Sequence, residues 1–152
     1  MFKKILNKKL LKNQKGLTLI ELLAVIVILA IIAAIAIPAI GNIINNSRDK
    51  AHLSDAAGLL SGAKIAIADG SCGQPVSNVI TCKGDKLTDV YDGKGKLDPN
   101  DTVEYNVSTK VYKITFKGLG EIKNIAKFTV GTTFTPPSTI ISDEDLVKAM
   151  NQ

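Results

Sequence analysis

The feature that most constrains this chain is an unbroken apolar run near its amino terminus. Residues Leu22 to Ile40 form a stretch of 19 uncharged and mostly aliphatic residues. As an α-helix the run is roughly 28 Å long at about 1.5 Å per residue, enough to cross the hydrocarbon core of a bilayer. Glu21 is the only ionisable residue between Leu17 and Asn46. The sequence therefore predicts one membrane-spanning helix, and the 152 residues leave room for one modest domain besides it.

The net positive charge of the chain comes from a leader at residues 1–16. This leader has six of the 19 basic residues and no acidic residue, whereas the remainder has 13 basic and 14 acidic residues, a net charge of −1. Lysines beside an apolar segment hold the leader on the cytoplasmic side of a membrane. The chain has no Trp, three Tyr and four Phe, so aromatic platforms for stacking bases are scarce. Composition thus disfavours a nucleic-acid-binding protein.

Beyond the apolar run, the pattern becomes amphipathic. Between Arg48 and Ala68, apolar residues recur at three- and four-residue spacing, which predicts one long helix from about Leu17 to about Ala68. The apolar stripe comprises Leu53, Ala56, Ala57, Leu60, Ala63 and Ile67. Pro38 removes a helical hydrogen bond and crowds the Ala34 carbonyl, so we expect a bend or a weakened turn there.

The sequence after the helix predicts a loop and then an antiparallel sheet. Residues 69–101 contain repeated Gly, Pro, Asn and Asp turn signals. Val, Thr, Tyr and Phe are enriched in three later segments, which predict strands at Thr102–Val107, Val111–Phe116 and Ile125–Phe134. We expect Pro136-Pro137 to end this sheet, which occupies residues 102–134.

A short helix is predicted at the carboxyl terminus, over residues 142–150. Ser142 is suited to cap it, and the three residues that follow, Asp143 to Asp145, are acidic. The predicted fold class is α+β, with a long amino-terminal helix packed on a small antiparallel sheet.

Cys72 and Cys82 lie ten residues apart in the turn-rich segment. A metal site needs three or four ligands at close spacing, and His52 is the only histidine. We therefore predict a Cys72–Cys82 disulfide if this segment lies in an oxidising compartment, with two free thiols as the alternative. No cofactor is expected.

The acidic loop at residues 85–101 contains five aspartates, whose oxygens are possible ligands for calcium. Its aspartates are Asp85, Asp89, Asp92, Asp98 and Asp101. Calcium favours clustered oxygen ligands, but the spacing of an EF-hand is absent, so a solvated loop is the preferred interpretation and no metal site is assigned. Enzyme function has no support, because the sequence contains no nucleophile elbow, phosphate-binding loop or dinucleotide-binding turn.

The junction between leader and apolar run resembles the class III signal of type IV pilins and pseudopilins. In that family a basic leader ends in Gly, a hydrophobic residue follows, and Glu stands four positions later. Here these residues are Gly16, Leu17 and Glu21, and the apolar stretch continues to Pro38. An ordinary secretory signal or a plain membrane anchor explains the hydrophobicity but leaves the position of Glu21 without a reason.

The resemblance implies a processing and assembly pathway. A membrane prepilin peptidase cleaves between Gly16 and Leu17 and methylates the new amine on Leu17, and Glu21 pairs with that amine on a neighbouring subunit. The chain then divides into a leader at 1–16, a transmembrane and filament-core helix at 17–47, and a globular head at 48–152. The implied fold is the type IV pilin fold.

The resemblance also implies the function and partners. The chain is expected to be a major or major-like type IV pilin, a structural subunit of a helical homo-oligomeric filament used in twitching motility, adhesion, biofilm or DNA uptake. Its partners are prepilin peptidase, an assembly ATPase, a membrane platform protein and minor pilins. The precursor spans the cytoplasmic membrane once, and the mature subunit lies in an extracellular pilus. A type II secretion pseudopilin and a DNA-binding competence pilin are the alternatives.

Overall fold

A computed structural model describes residues 18–91, 97–131 and 134–152. The helices are α1 (Leu19–Ala68), α2 (Gly84–Leu87), α3 (Ile125–Phe128) and α4 (Asp143–Met150), with a 3₁₀ helix at Lys117–Glu121. The strands are β1 (Val79–Lys83), β2 (Thr102–Asn106), β3 (Val111–Thr115) and β4 (Ile140–Ser142). The fold is thus α+β, a long amino-terminal helix on a four-stranded antiparallel sheet, consistent with the pilin fold.

The chain divides into two units at Asn42–Ile43. The described part of the first unit is the beginning of α1, which is apolar on all sides. Its most hydrophobic window has a mean hydropathy of 3.2 with none of its residues buried. A helix that is apolar all round requires apolar surroundings on every side. By length and composition α1 can cross a membrane.

The second unit contains the remainder of α1, which packs on the sheet. Leu53, Ala56, Leu60 and Ala63 of the predicted stripe are buried, and so is Leu59. Burial of such a stripe supplies the main stabilisation of this part of the helix, because each fully buried leucine contributes about 2 kcal/mol. The buried side of this part of α1 therefore belongs to the same hydrophobic core as the buried side chains of the sheet.

The sheet is an antiparallel meander in the order β1-β2-β3-β4. Cys82, Val103, Ile114 and Ile141 lie in register across the four strands and are all buried. The registers place Tyr105 opposite Tyr112, and their rings stack with centroids 4.5 Å apart. One face of every strand thus faces the core, as period-two alternation requires.

The predicted third strand at Ile125–Phe134 is wrong. Ile125–Phe128 is a helical turn, and Val130 and Phe134 form only an isolated bridge. The Asn124 side chain caps this turn by accepting from the Lys127 N–H. An Asn cap stabilises a turn that the composition alone describes as a strand.

The sheet boundaries also differ from the prediction. Strand β1 lies inside the segment assigned to a loop at 69–101, and β4 follows the prolines that were expected to end the sheet. Both are short edge strands whose pairing partners lie elsewhere in the sequence. Helix α4 begins after Ser142, whose hydroxyl accepts from the Asp145 N–H at 3.2 Å.

Candidate processing and assembly site

The described part of the site begins at Thr18, immediately before α1. The Thr18 N–H donates to Glu21 Oε2 at 2.9 Å, and the Thr18 carbonyl accepts from the Glu21 and Leu22 N–H groups at 2.8 and 3.2 Å. This is one half of a capping box, in which a glutamate three residues into the helix binds the backbone of the capping residue. A carboxylate in the first turn also interacts favourably with the helix dipole. Glu21 therefore stabilises the start of its own helix.

Sequence reasoning missed this bond, although the signal is visible. A threonine followed three positions later by glutamate, before an apolar run, is the pattern of a capping box. Glu21 is exposed, and within the described residues no salt bridge includes it. Gly16 and Leu17, the predicted cleavage and methylation residues, lie outside the described residues.

The helix continues from this start through the apolar run with its large side chains uncovered. Leu29 is 58% exposed and Ile35 is 70% exposed. Pro38 lies within α1, whose helical assignment runs on past it to Ala68. The predicted bend at Pro38 stays a prediction. A methyl group added at Gly41 would meet nothing within 4 Å.

The predicted disulfide is present. Cys72 and Cys82 are joined, with their Cα atoms 5.0 Å apart. Cys82 lies on β1 and is buried, whereas Cys72 lies in the turn that follows α1. The bridge therefore ties this turn to an edge strand of the sheet.

The acidic loop is held by its own hydrogen bonds. Asp101, 2% exposed, accepts from the backbone N–H groups of Asp98 and Lys117 at 2.7 and 2.8 Å. Hydrogen bonds from Asn100, and then from Lys117, hold the pKa of Asp98 below its ordinary value. In the part of the chain that the structure describes, no three His, Cys, Asp or Glu side chains are placed to hold a metal ion. Asp92 lies outside that part.

A second buried carboxylate belongs to Asp49, which the sequence did not mark as a functional or structural residue. It is 1% exposed and accepts from the backbone N–H groups of Lys123 and Asn124 at 3.0 and 2.8 Å. The Asn46 side chain also accepts from the Asn124 side chain at 2.8 Å. These bonds hold Lys123 and Asn124 against one side of α1. Because the partners are more than 70 residues apart, no local pattern in the sequence predicts the bonds.

Two further helix residues have identifiable neighbours. A methyl group added at Gly62 would lie 2.8 Å from the Val90 carbonyl oxygen, so this glycine permits close approach of the segment after α2. His52 is half-buried and its Nε2 lies 3.7 Å from Glu121 Oε2. His52 therefore faces the 3₁₀ helix.

Residues 11–37 match the prokaryotic N-terminal methylation motif. This motif is the class III signal peptide of type IV pilins, and here it covers Gly16, Leu17, Glu21 and most of the apolar run. No curated protein and no solved structure matches the chain. The motif indicates a type IV pilin-like or pseudopilin precursor, hence a structural subunit, and it implies processing by prepilin peptidase and pilus assembly.

Proposed function

We propose that this protein is a major or major-like type IV pilin, cleaved after Gly16, methylated on Leu17 and polymerised into a surface filament. The observation that carries the proposal is the methylation motif at residues 11–37, which includes the first part of an exposed apolar helix. The mature subunit then begins at Leu17, with a helix core to residue 47 and a head at 48–152.

The apolar part of α1 serves in two environments. In the precursor it spans the cytoplasmic membrane, with the lysine-rich leader inside. In the filament the same surface packs against helices of neighbouring subunits. Subunits that contact one another through unlike surfaces along an axis do not close into a ring, so they form a filament.

Glu21 links processing to assembly. A carboxylate at membrane depth costs about 3 kcal/mol on insertion scales, so its presence there requires a compensating interaction. Cleavage after Gly16 creates an amine on Leu17, and the amine of a neighbouring subunit neutralises Glu21. The Thr18 N–H holds the carboxylate at 2.9 Å until then, so it is already oriented at the start of the helix.

The proposed partners follow from this pathway. Prepilin peptidase processes the chain, an assembly ATPase and a membrane platform protein drive extraction from the membrane, and minor pilins join the filament. The mature protein then lies outside the cell, where pili serve twitching motility, adhesion, biofilm or DNA uptake. The Cys72–Cys82 bridge suits an oxidising location for the head.

Co-expression with a prepilin peptidase tests the proposal. The intact mass should fall by the mass of residues 1–16 and rise by one methyl group. Gly16→Ala should leave most of the chain uncleaved, because a side chain at this position obstructs close approach of the peptidase to the backbone. Gly41→Ala is the matched control: the site has open space, so cleavage should be normal.

The same experiment can contradict the proposal. Cleavage after Ala36 would indicate an ordinary secretory signal, and an uncleaved chain would indicate a plain anchor. Electron microscopy of sheared cells then separates a pilin from a pseudopilin, since long surface filaments support the former and their absence, with normal processing, supports the latter.

A further inference from the structure

The head carries a basic patch that only the tertiary structure assembles. The two segments that form it contribute Arg48 and Lys50 on α1 and Lys123 and Lys127 beside α3, with Ile125 and Ala126 between the last two. Arg48, Lys50 and Lys123 are exposed, whereas Lys127 is half-buried and its amine lies 5.7 Å from the centre of the Phe128 ring. The Asp49 bonds to the Lys123 and Asn124 N–H groups bring the two segments together. Arg48 and Lys123 line the same surface pocket, which Asp49, His52 and Glu121 also line.

Basic residues outnumber exposed acidic residues in this patch. Segments 43–50 and 122–128 hold four basic residues and one acidic residue, Asp49, which is buried and bonded to backbone N–H groups. Glu121, at the border of the patch, faces His52 at 3.7 Å. An anionic partner therefore meets these cations and one exposed carboxylate, that of Glu121, which lines the same pocket as Arg48 and Lys123.

The patch also exposes apolar surface between its cations. Ile125 is 44% exposed, and its neighbour Ala126 is exposed as well. Lysine and arginine stems cover apolar surface while their charged ends reach polar groups. Segments that lie at a lipid headgroup interface combine basic residues with exposed apolar ones.

We propose that this basic patch binds the anionic phospholipid surface while the subunit is held in the membrane. The inference rests on the membrane stage of the proposed function. Arg48 and Lys50 follow Ile40, the end of the apolar run, by eight and ten residues. Because the lysine-rich leader is inside, these residues face the outer leaflet, whose anionic headgroups attract nearby basic residues. Ile125 and Ala126 then enter the headgroup region, and extraction into a filament requires these contacts to be broken.

The absence of tryptophan from the chain provides a direct probe. Ala126→Trp introduces a single tryptophan, excited selectively over the three tyrosines, in the full-length protein. The protein is reconstituted into phosphatidylcholine vesicles with or without about one-third phosphatidylglycerol. Both vesicle types contain a phosphatidylcholine brominated near the headgroup end of its acyl chains, which quenches tryptophan at the interface. We expect quenching about threefold stronger with phosphatidylglycerol, and a decrease in high salt.

Charge reversals in the Ala126→Trp background identify the cations responsible. Lys123→Glu and Lys127→Glu should each reduce quenching in the phosphatidylglycerol vesicles. Lys110→Glu is the matched control, because Lys110 lies away from the patch. It follows Val107, whose N–H donates to the carbonyl of Asn78, a residue beyond the carboxyl end of α1. Reversing the charge of Lys110 should therefore leave quenching unchanged. Circular dichroism verifies that each variant is folded.

Insertion and quenching together test whether the patch binds the lipid surface. Flotation with the vesicles after carbonate washing shows whether the chain is inserted. An inserted chain without quenching, or with equal quenching in both vesicle types, overturns the inference and leaves the proposed function intact. A chain that does not insert overturns both. Equal losses for Lys110→Glu and Lys123→Glu would show a general charge effect and would also overturn the assigned surface.

Discussion

The two parts of helix α1 differ in how they use the same aliphatic residues. From Leu19 to Asn42 no residue is buried, and side chains such as Leu29 remain more than half exposed. From Ile43 to Ala68 a stripe is buried against the sheet, with Leu53 and Leu59 fully covered. The first part has apolar residues on every side and the second only along one side. Uniform hydrophobicity is thus typical of a helix with apolar surroundings on every side, and a stripe marks contact with the subunit's own core.

The same comparison applies to the acidic residues of the two parts. Glu21 is exposed and binds the Thr18 N–H at its own helix start. Asp49 is buried and binds backbone N–H groups from a segment more than 70 residues away in the sequence. The Glu21 carboxylate is therefore accessible to another molecule, whereas both oxygens of Asp49 accept hydrogen bonds within the head.

Glu21→Ala should produce the largest effect, a loss of nearly all surface filaments. The substitution removes a costly charge from the apolar run, so the precursor should insert at least as well as before. The head should fold normally because the hydrogen bond described for the Glu21 side chain is to Thr18, at the start of its own helix. Electron microscopy of sheared cells, beside a blot of the membrane fraction, measures both outcomes.

Glu121→Ala serves as the control for Glu21→Ala, because it removes one exposed carboxylate from the head. It should assemble normally. Normal filaments from Glu21→Ala would show that this residue is not the assembly contact, and disappearance of that variant from the membrane would assign it to insertion or folding.

Cys72→Ser should destabilise the head by about 3 kcal/mol in the chain-entropy model for a loop of this length. Because the bridge ties the turn after α1 to β1, hydrogen exchange should accelerate most in residues 70–83 and least in β2 and β3. Ser71→Ala, which keeps the bridge and removes the hydroxyl that hydrogen-bonds Asp69, should accelerate exchange much less than Cys72→Ser. Uniform acceleration across the sheet would contradict a local role for the disulfide.

Asp49→Ala should lower the free energy of unfolding by about 2 kcal/mol, because two backbone N–H groups lose their acceptor. Urea unfolding of the full chain in detergent, followed by circular dichroism, measures this loss. Asp55→Ala, on the same helix, should change stability by less than about 0.5 kcal/mol. Equal effects of the two substitutions would show that the Asp49 bonds contribute nothing specific.

Local patterns in the sequence were sufficient for the features that depend on neighbouring residues. The apolar run and the signal at Gly16 to Glu21 are contiguous, and the stripe from Leu53 to Ala63 repeats with the period of one helix. The disulfide joins residues only ten apart. Ser142 and the acidic residues after it likewise describe a helix start within a single turn.

Tertiary structure decided the features that depend on residues far apart. Strands β1 and β4 are edges of three to five residues that exist through pairing with β2 and β3. Ile125–Phe128 contains Ile and Phe, which favour a strand by composition, yet it is a helical turn held near Asn46 and Asp49. The basic patch depends on that same long-range contact. Hydrophobic period and capping act over a few residues, whereas a buried carboxylate selects its backbone partners only once the chain has folded around it.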